Sequence, residues 1–251
     1  MERESLTRVL MYGLVCLTLV LSNCGGRVGG GDGGGGGVPS GAIAGTWFGT
    51  LEDADLVLHK LKVTAHTNNT VTDEFVDDLA TNVTHAVAAV SGKTQIFSLT
   101  GSDGTTGGFY VDSSFTHAVL VDDSGNFAVM QKGATSHPTY TTSDAVGTWS
   151  GFEVVLNVNY RVVDTYSSTV TISTYPNFSV SNKNCTITGS FSDFDPEYGG
   201  YGGFWADITS PMSGYAGVFM TPDKKFFGGH SCAKNGYWPF KDCSFSSWNK
   251  Q

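Results

Sequence analysis

A short block at the start of one half of this chain returns at the start of the other. Gly45-Thr46-Trp47-Phe48-Gly49 reappears as Gly147-Thr148-Trp149-Ser150-Gly151. A second block, Gly107-Gly108-Phe109-Tyr110-Val111-Asp112, is matched by Gly202-Gly203-Phe204-Trp205-Ala206-Asp207 in the same order. Each is followed by an apolar run, a polar turn and aromatics: Ala118–Val121, Asp122–Asn126 and Phe127, then Ala216–Met220, Thr221–Lys225 and Phe226-Phe227. Ordered self-similarity of this kind means one supersecondary unit used twice. The expected organisation is a domain over 41–135, a linker over 136–143 and a second domain over 144–251.

Both units read as β-structure. Thr169-Val170-Thr171-Ile172-Ser173 and Cys185 to Phe191 alternate with period two, which puts one set of side chains on a buried face. Leu56 to Val63 begins apolar and then alternates. Glycine, Asn, Asp and Ser clusters at 101–104, 122–126 and 181–184 supply turn conformations between the runs. Asp73 to Val90 fits either a helix or two strands around a polar loop. The fold class is all-β: two related small antiparallel β-barrel or meander domains, with a β-sandwich as the alternative. The Gly-x-Trp opening resembles the first strand of lipocalin-type barrels, which implies that Trp47 and Trp149 pack as plugs at the closed ends.

The amino terminus carries an address. Val9 to Leu21 is largely apolar, preceded by Arg3 and Arg8 and followed by Leu21-Ser22-Asn23-Cys24. A charged start, an apolar core of about 7–15 residues and small or polar residues at the cut make a secretory signal. The cysteine at the cut resembles the lipobox of bacterial lipoproteins. That resemblance implies removal of 1–23, fatty acylation (palmitate) of Cys24, and a membrane partner held through the lipid. Gly25 after the cysteine implies the outer membrane, with a periplasmic or secreted form as the alternative. The glycine-rich stretch over 24–40 cannot bury enough surface to offset its ordering entropy and reads as a tether. A formal charge of −9, with no basic run, excludes nucleic acid as a partner.

Cysteines 185, 232 and 243 remain for the second unit. Export favours one disulfide, and Cys185 with Cys232 closes the longer loop, so that pairing is expected over Cys232 with Cys243. No zinc spacing accompanies them, and no metal or other cofactor is expected. The most site-like stretch is Asp193 to Trp205. Asp193, Asp195 and Glu197 can share a strand end and offer hard oxygens to Ca²⁺, and Tyr198, Tyr201 and Trp205 can stack on a sugar. Asp193 with Glu197 is also the one carboxylate pair to test for glycoside cleavage. The histidines are scattered singly, no nucleophile elbow is present, and no catalytic residue is assigned. The aromatic tail from Tyr237 to Trp248 either closes a barrel end or forms a patch for a partner. The expected function is a non-enzymatic envelope module for adhesion, assembly or structure, with a protein or glycan partner. The alternatives are a lipocalin-like carrier of a small apolar ligand, and a glycan-binding or glycan-cleaving protein.

Overall fold

The computed structural model describes residues 41–76, 83–89, 95–156, 162–182, 186–207, 213–233 and 243–251. The signal and tether, Cys24 included, lie outside these residues, as do Cys185 and the tail from Tyr237 to Asp242. Among the described residues the chain forms sixteen strands. The first eight are β1 (Gly45–Glu52), β2 (Leu58–Ala65), β3 (Thr70–Phe75), β4 (Val83–Ala89), β5 (Ile96–Gly101), β6 (Thr106–Val111), β7 (His117–Asp122) and β8 (Phe127–Lys132). They close on themselves as an antiparallel barrel in chain order, β8 pairing with β1. A turn of 3₁₀ helix, Thr142–Ala145, precedes the second set. That set is β9 (Gly147–Leu156), β10 (Val162–Thr174), β11 (Asn177–Ser181), β12 (Thr186–Asp195), β13 (Gly200–Asp207), β14 (Ser213–Met220), β15 (Phe226–Ala233) and β16 (Cys243–Lys250). It closes in the same way through β16 and β9. Closure removes both sheet edges, so the arrangement is a pair of barrels and not a sandwich. The segment that fitted helix or strands holds the end of β3 and the whole of β4.

The repeated block works identically in both barrels. Gly45 and Gly147 have φ of +131° and +143°, a region costly for any residue with a Cβ. The tryptophans two positions on are fully buried, each donating its indole N–H to the carbonyl four residues earlier, Ile43 or Ala145, at 2.9 Å. A lysine from the last strand covers each ring: Lys132 lies 5.6 Å from Trp47 and Lys250 lies 5.0 Å from Trp149. The final glycine has a different reason. A Cβ on Gly49 would stand 1.9 Å from the Val129 carbonyl oxygen, and on Gly151 1.8 Å from that of Ser247. Only glycine lets the first strand bend this close to the last.

The second sequence block aligns differently in space. Gly107 to Val111 belongs to the sixth strand of its barrel, whereas Gly202 to Asp207 belongs to the fifth of the other. The duplication stands, but the true counterpart of β6 is β14. Sequence similarity drew the two glycine-aromatic strands together because both need glycine at strand bends.

The barrels pack against each other through the outer faces of matching strands. Tyr110, Val119, Val121, Phe127 and Val129 of the first barrel join Phe219, Phe226 and Phe245 of the second in one apolar cluster. Register makes His117 the counterpart of Phe226 and Phe127 the counterpart of Phe245. His117 stacks on Phe226 at 5.2 Å, and Phe127 on Phe245 at 5.6 Å. Like positions meeting like positions is the signature of an isologous, two-fold interface, here within one chain. Strands at this junction are buried on both faces, which is why β7 is buried throughout while β2 alternates.

Two clusters of titratable side chains sit in the junction. Glu52 meets His230 Nε2 at 2.7 Å. His117 bridges Asp112 and Asp223, each at 3.0 Å. Burial alone lowers the affinity of His117 for its proton, but hydrogen bonds to Asp112 and Asp223, and then their charges, outweigh it and carry the value up to about 9. Burial likewise works against ionisation of Asp112 and Asp223, and the bonds from His117 overcome it and hold both below the ordinary carboxylate value.

Candidate ligand chamber

The matching frames allow every inward position of one barrel to be read against its counterpart. At the tryptophan ends both interiors are filled. Trp47 meets Phe109 edge-on, and Trp149 packs on Phe227 with Tyr201, Phe191, Phe178 and Trp248 in the same cluster. One step along, the two diverge. In the first barrel Leu51 faces Ala128, which faces Leu120, which faces Phe109. These are all buried hydrophobics. The same path in the second barrel runs Glu153, Ser246, Gly229, Val218. Beside it, Leu61 becomes Ser168, and Leu99 becomes Gly203, where the β12 backbone comes too close for any side chain. Leu51, Leu61, Leu120 and Phe109 thus give way to Glu153, Ser168, Gly229 and Val218, while Met130 and Val87 give way to the larger Trp248 and Phe191.

Part of the released space is refilled. A Cβ on Gly229 would come 2.5 Å from a Val218 methyl, so that valine has moved into the gap. The Trp248 indole N–H donates to the Ser168 hydroxyl at 2.8 Å. Val180, Ile187, Ala216 and Val218 belong to the interior cluster but are only partly buried, unlike the first barrel's belt.

Glu153 defines the chemistry of this space. Its position on β9 follows Trp149 and Gly151 on the inward side, opposite Ser246 and Tyr166. The carboxyl is deeply enclosed by protein, yet the residue keeps some accessible surface. Burial pushes its pKa up to about 7, and no hydrogen bond or charge among the described residues offsets that. The corresponding end of the first barrel is satisfied. His59 contacts Asp53 at 3.0 Å, and Asp122 accepts from the backbone of Ser124 and Asn126.

The residues singled out by sequence fall elsewhere. Asp195 accepts the backbone N–H groups of Glu197 and Tyr198 and shapes the β12–β13 turn. That turn docks on the first barrel: Glu197 pairs with Lys60, and the Thr50 hydroxyl donates to the Tyr198 carbonyl at 2.8 Å. Lys60 lies 5.5 Å over the Tyr198 ring. Asp193 accepts the Ser192 hydroxyl at an exposed position. Tyr201 is buried in the barrel, its hydroxyl donating to the Thr141 carbonyl. The Trp205 backbone lies on β13 opposite Gly214. Glu197 also lines a cleft of about 540 Å³ between the barrels, together with Phe48, Lys60, His137 and Pro138. Among the described residues no group of three His, Cys, Asp or Glu side chains is placed to hold a metal. Cys232 and Cys243 are register partners on β15 and β16, whereas Thr186, next to Cys185, opens β12 three strands away.

Sequence reasoning passed over Glu153 because Phe152-Glu153-Val154-Val155 reads as an apolar run with one outward acid. The signal that places it inward is its distance from Trp149: four residues along a strand keeps the same face.

No protein-family profile and no curated protein matches the chain. A solved structure is similar in part: a protein of unknown function from the DUF3598 family of Nostoc punctiforme. The similarity covers 84% of this chain and 97% of that one, at 15% identity and a TM-score of 0.41.

Proposed function

We propose that this chain is an envelope lipoprotein, held to the membrane through Cys24, whose second barrel carries a small molecule while the first serves as its packed support. The observation that carries this reading is the exchange of Leu51 and Leu61 for Glu153 and Ser168 within an otherwise matching frame, beside interior residues Val180, Ile187, Ala216 and Val218 that are only partly buried. A purely structural or adhesive tandem has no use for an underfilled core, because burial of each such side chain is worth about 1.5–3 kcal/mol. A carrier needs an apolar hollow with a few convergent polar groups. The lipid anchor and the tether place such a chamber at a membrane, where small amphiphiles collect.

The test is uptake of N-phenyl-1-naphthylamine, a neutral probe that fluoresces in apolar surroundings. The full chain should bind it saturably at one site, with energy transfer from tryptophan. Refilling the belt with Ser168→Leu and Ser246→Leu should abolish binding while leaving the far-ultraviolet β-sheet circular dichroism intact. Absence of saturable binding, or full binding by the refilled variant, removes the reading.

A further inference from the structure

The chamber's walls also specify its guest. We propose that the second barrel selects a small amphiphile bearing a protonated amine, with Glu153 as the carboxylate that receives it. This inference rests on the carrier reading and goes beyond it, to the chemical class of the ligand.

A carboxyl enclosed by protein and given no partner among the described residues has its charge uncompensated by them. The neighbours across the register are hydroxyl-bearing, Ser246 and Tyr166, and Ser168 is already engaged as acceptor for Trp248. No Lys or Arg occupies a described position of this belt; Lys250 sits over Trp149 at the opposite end. An ammonium group supplies what is missing, three N–H donors and a positive charge, and charge-assisted bonds of this kind are about twice as strong as neutral ones. The remaining wall, Val180, Ile187, Ala216 and Val218, suits a hydrocarbon body. An anionic guest meets an acid with nothing to balance it, and the chain's net charge of −9 repels it before entry.

Displacement of bound N-phenyl-1-naphthylamine by n-octylamine, n-octanol and n-octanoate at pH 7.5 tests this. Octylamine should displace the probe at a concentration at least ten-fold below that needed with octanol, and octanoate should be weakest. Glu153→Gln should bind the probe as before but treat octylamine and octanol alike. If the probe binds and the amine shows no advantage over the alcohol, the amine assignment fails and the carrier reading survives. Retention of the amine preference by Glu153→Gln overturns Glu153 as the receiving group. If the probe does not bind at all, the carrier reading fails and this inference falls with it.

Discussion

The two barrels share a frame and differ in what fills it. Both begin with the same bent, tryptophan-plugged strand, and both close their first strand on their last with a glycine under the carbonyl of the partner. Above the plug one barrel is packed with Leu51, Leu61, Leu99, Phe109 and Leu120, and the other is not. The comparison separates two kinds of constraint. Closure geometry leaves no freedom, so the plug is retained in both; belt volume is free to drift as long as the barrel still closes. A position where the packing rule fails in only one of two copies marks retained function better than composition does.

The comparison breaks most sharply if the belts are interchangeable. Putting the second barrel's acid into the first, Leu51→Glu, buries a carboxyl among leucines with no hollow to relieve it. The expected loss is on the order of 3–5 kcal/mol, read as a collapsed urea midpoint. A loss below about 1 kcal/mol would mean that the first barrel is as open as the second.

Next in size is a covalent tie found on one side only. The first barrel contains no cysteine, while Cys232 and Cys243 face each other across β15 and β16 at a register where antiparallel strands hold Cα atoms within disulfide range. The oxidised protein is expected to carry this bond, contrary to the longer-loop pairing that sequence favoured. Its reduction should cost about 2–3 kcal/mol from the loop it closes. Peptide mapping of the non-reduced protein decides it, and a Cys185–Cys232 fragment would refute the register argument.

Joining the barrels as one unit makes the junction sensitive to pH. His117 has its folded value raised to about 9 from 6.5, so its contribution is complete below pH 6.5 and is lost as pH rises through 9. Asp112 and Asp223 are depressed, so theirs holds above about pH 4 and is lost as pH falls below it. Stability should decline by on the order of 2 kcal/mol between pH 6.5 and 9.5. Asp223→Asn should flatten that decline; an unchanged slope would place the titration elsewhere.

Glu153→Leu runs the first exchange in reverse. It should stabilise the second barrel by about 1–2 kcal/mol, since an unpaired buried carboxyl is replaced by the residue its counterpart already uses. The folded value lies above the ordinary carboxylate one, so the cost of Glu153 is absent below pH 4.5 and full above about 7. The gain should therefore be larger at pH 8 than at pH 4.

Much of this was legible beforehand and some was not, for definable reasons. The all-β class and the duplication follow from alternation and from a motif whose glycines answer to backbone geometry, and the tryptophan plugs from the resemblance of that motif to the first strand of lipocalin-type barrels. The mispaired second block arose because glycine-aromatic strands recur at different places in the same barrel. Strands such as β1 and β7, buried on both faces at the junction, lose their alternation and hide which side is inward. Glu153 was missed for a related reason: its inward face is set by register from Trp149, and it sits in a stretch with no alternation to show it.

The smallest expected effect concerns the acids that looked most like a site. Glu197 reaches across to Lys60, and both are solvent-accessible, so Glu197→Gln should cost no more than about 0.5 kcal/mol. Asp195→Ala should cost more, about 1 kcal/mol, because it removes the acceptor that holds two backbone N–H groups in the turn. Neither substitution should change uptake of the neutral probe or the preference for an amine, since the turn lies at the tryptophan end of the second barrel, away from Glu153. A loss of binding in either variant would shift the site to the cleft between the barrels, and the contrast between a filled barrel and an open one would then no longer explain function.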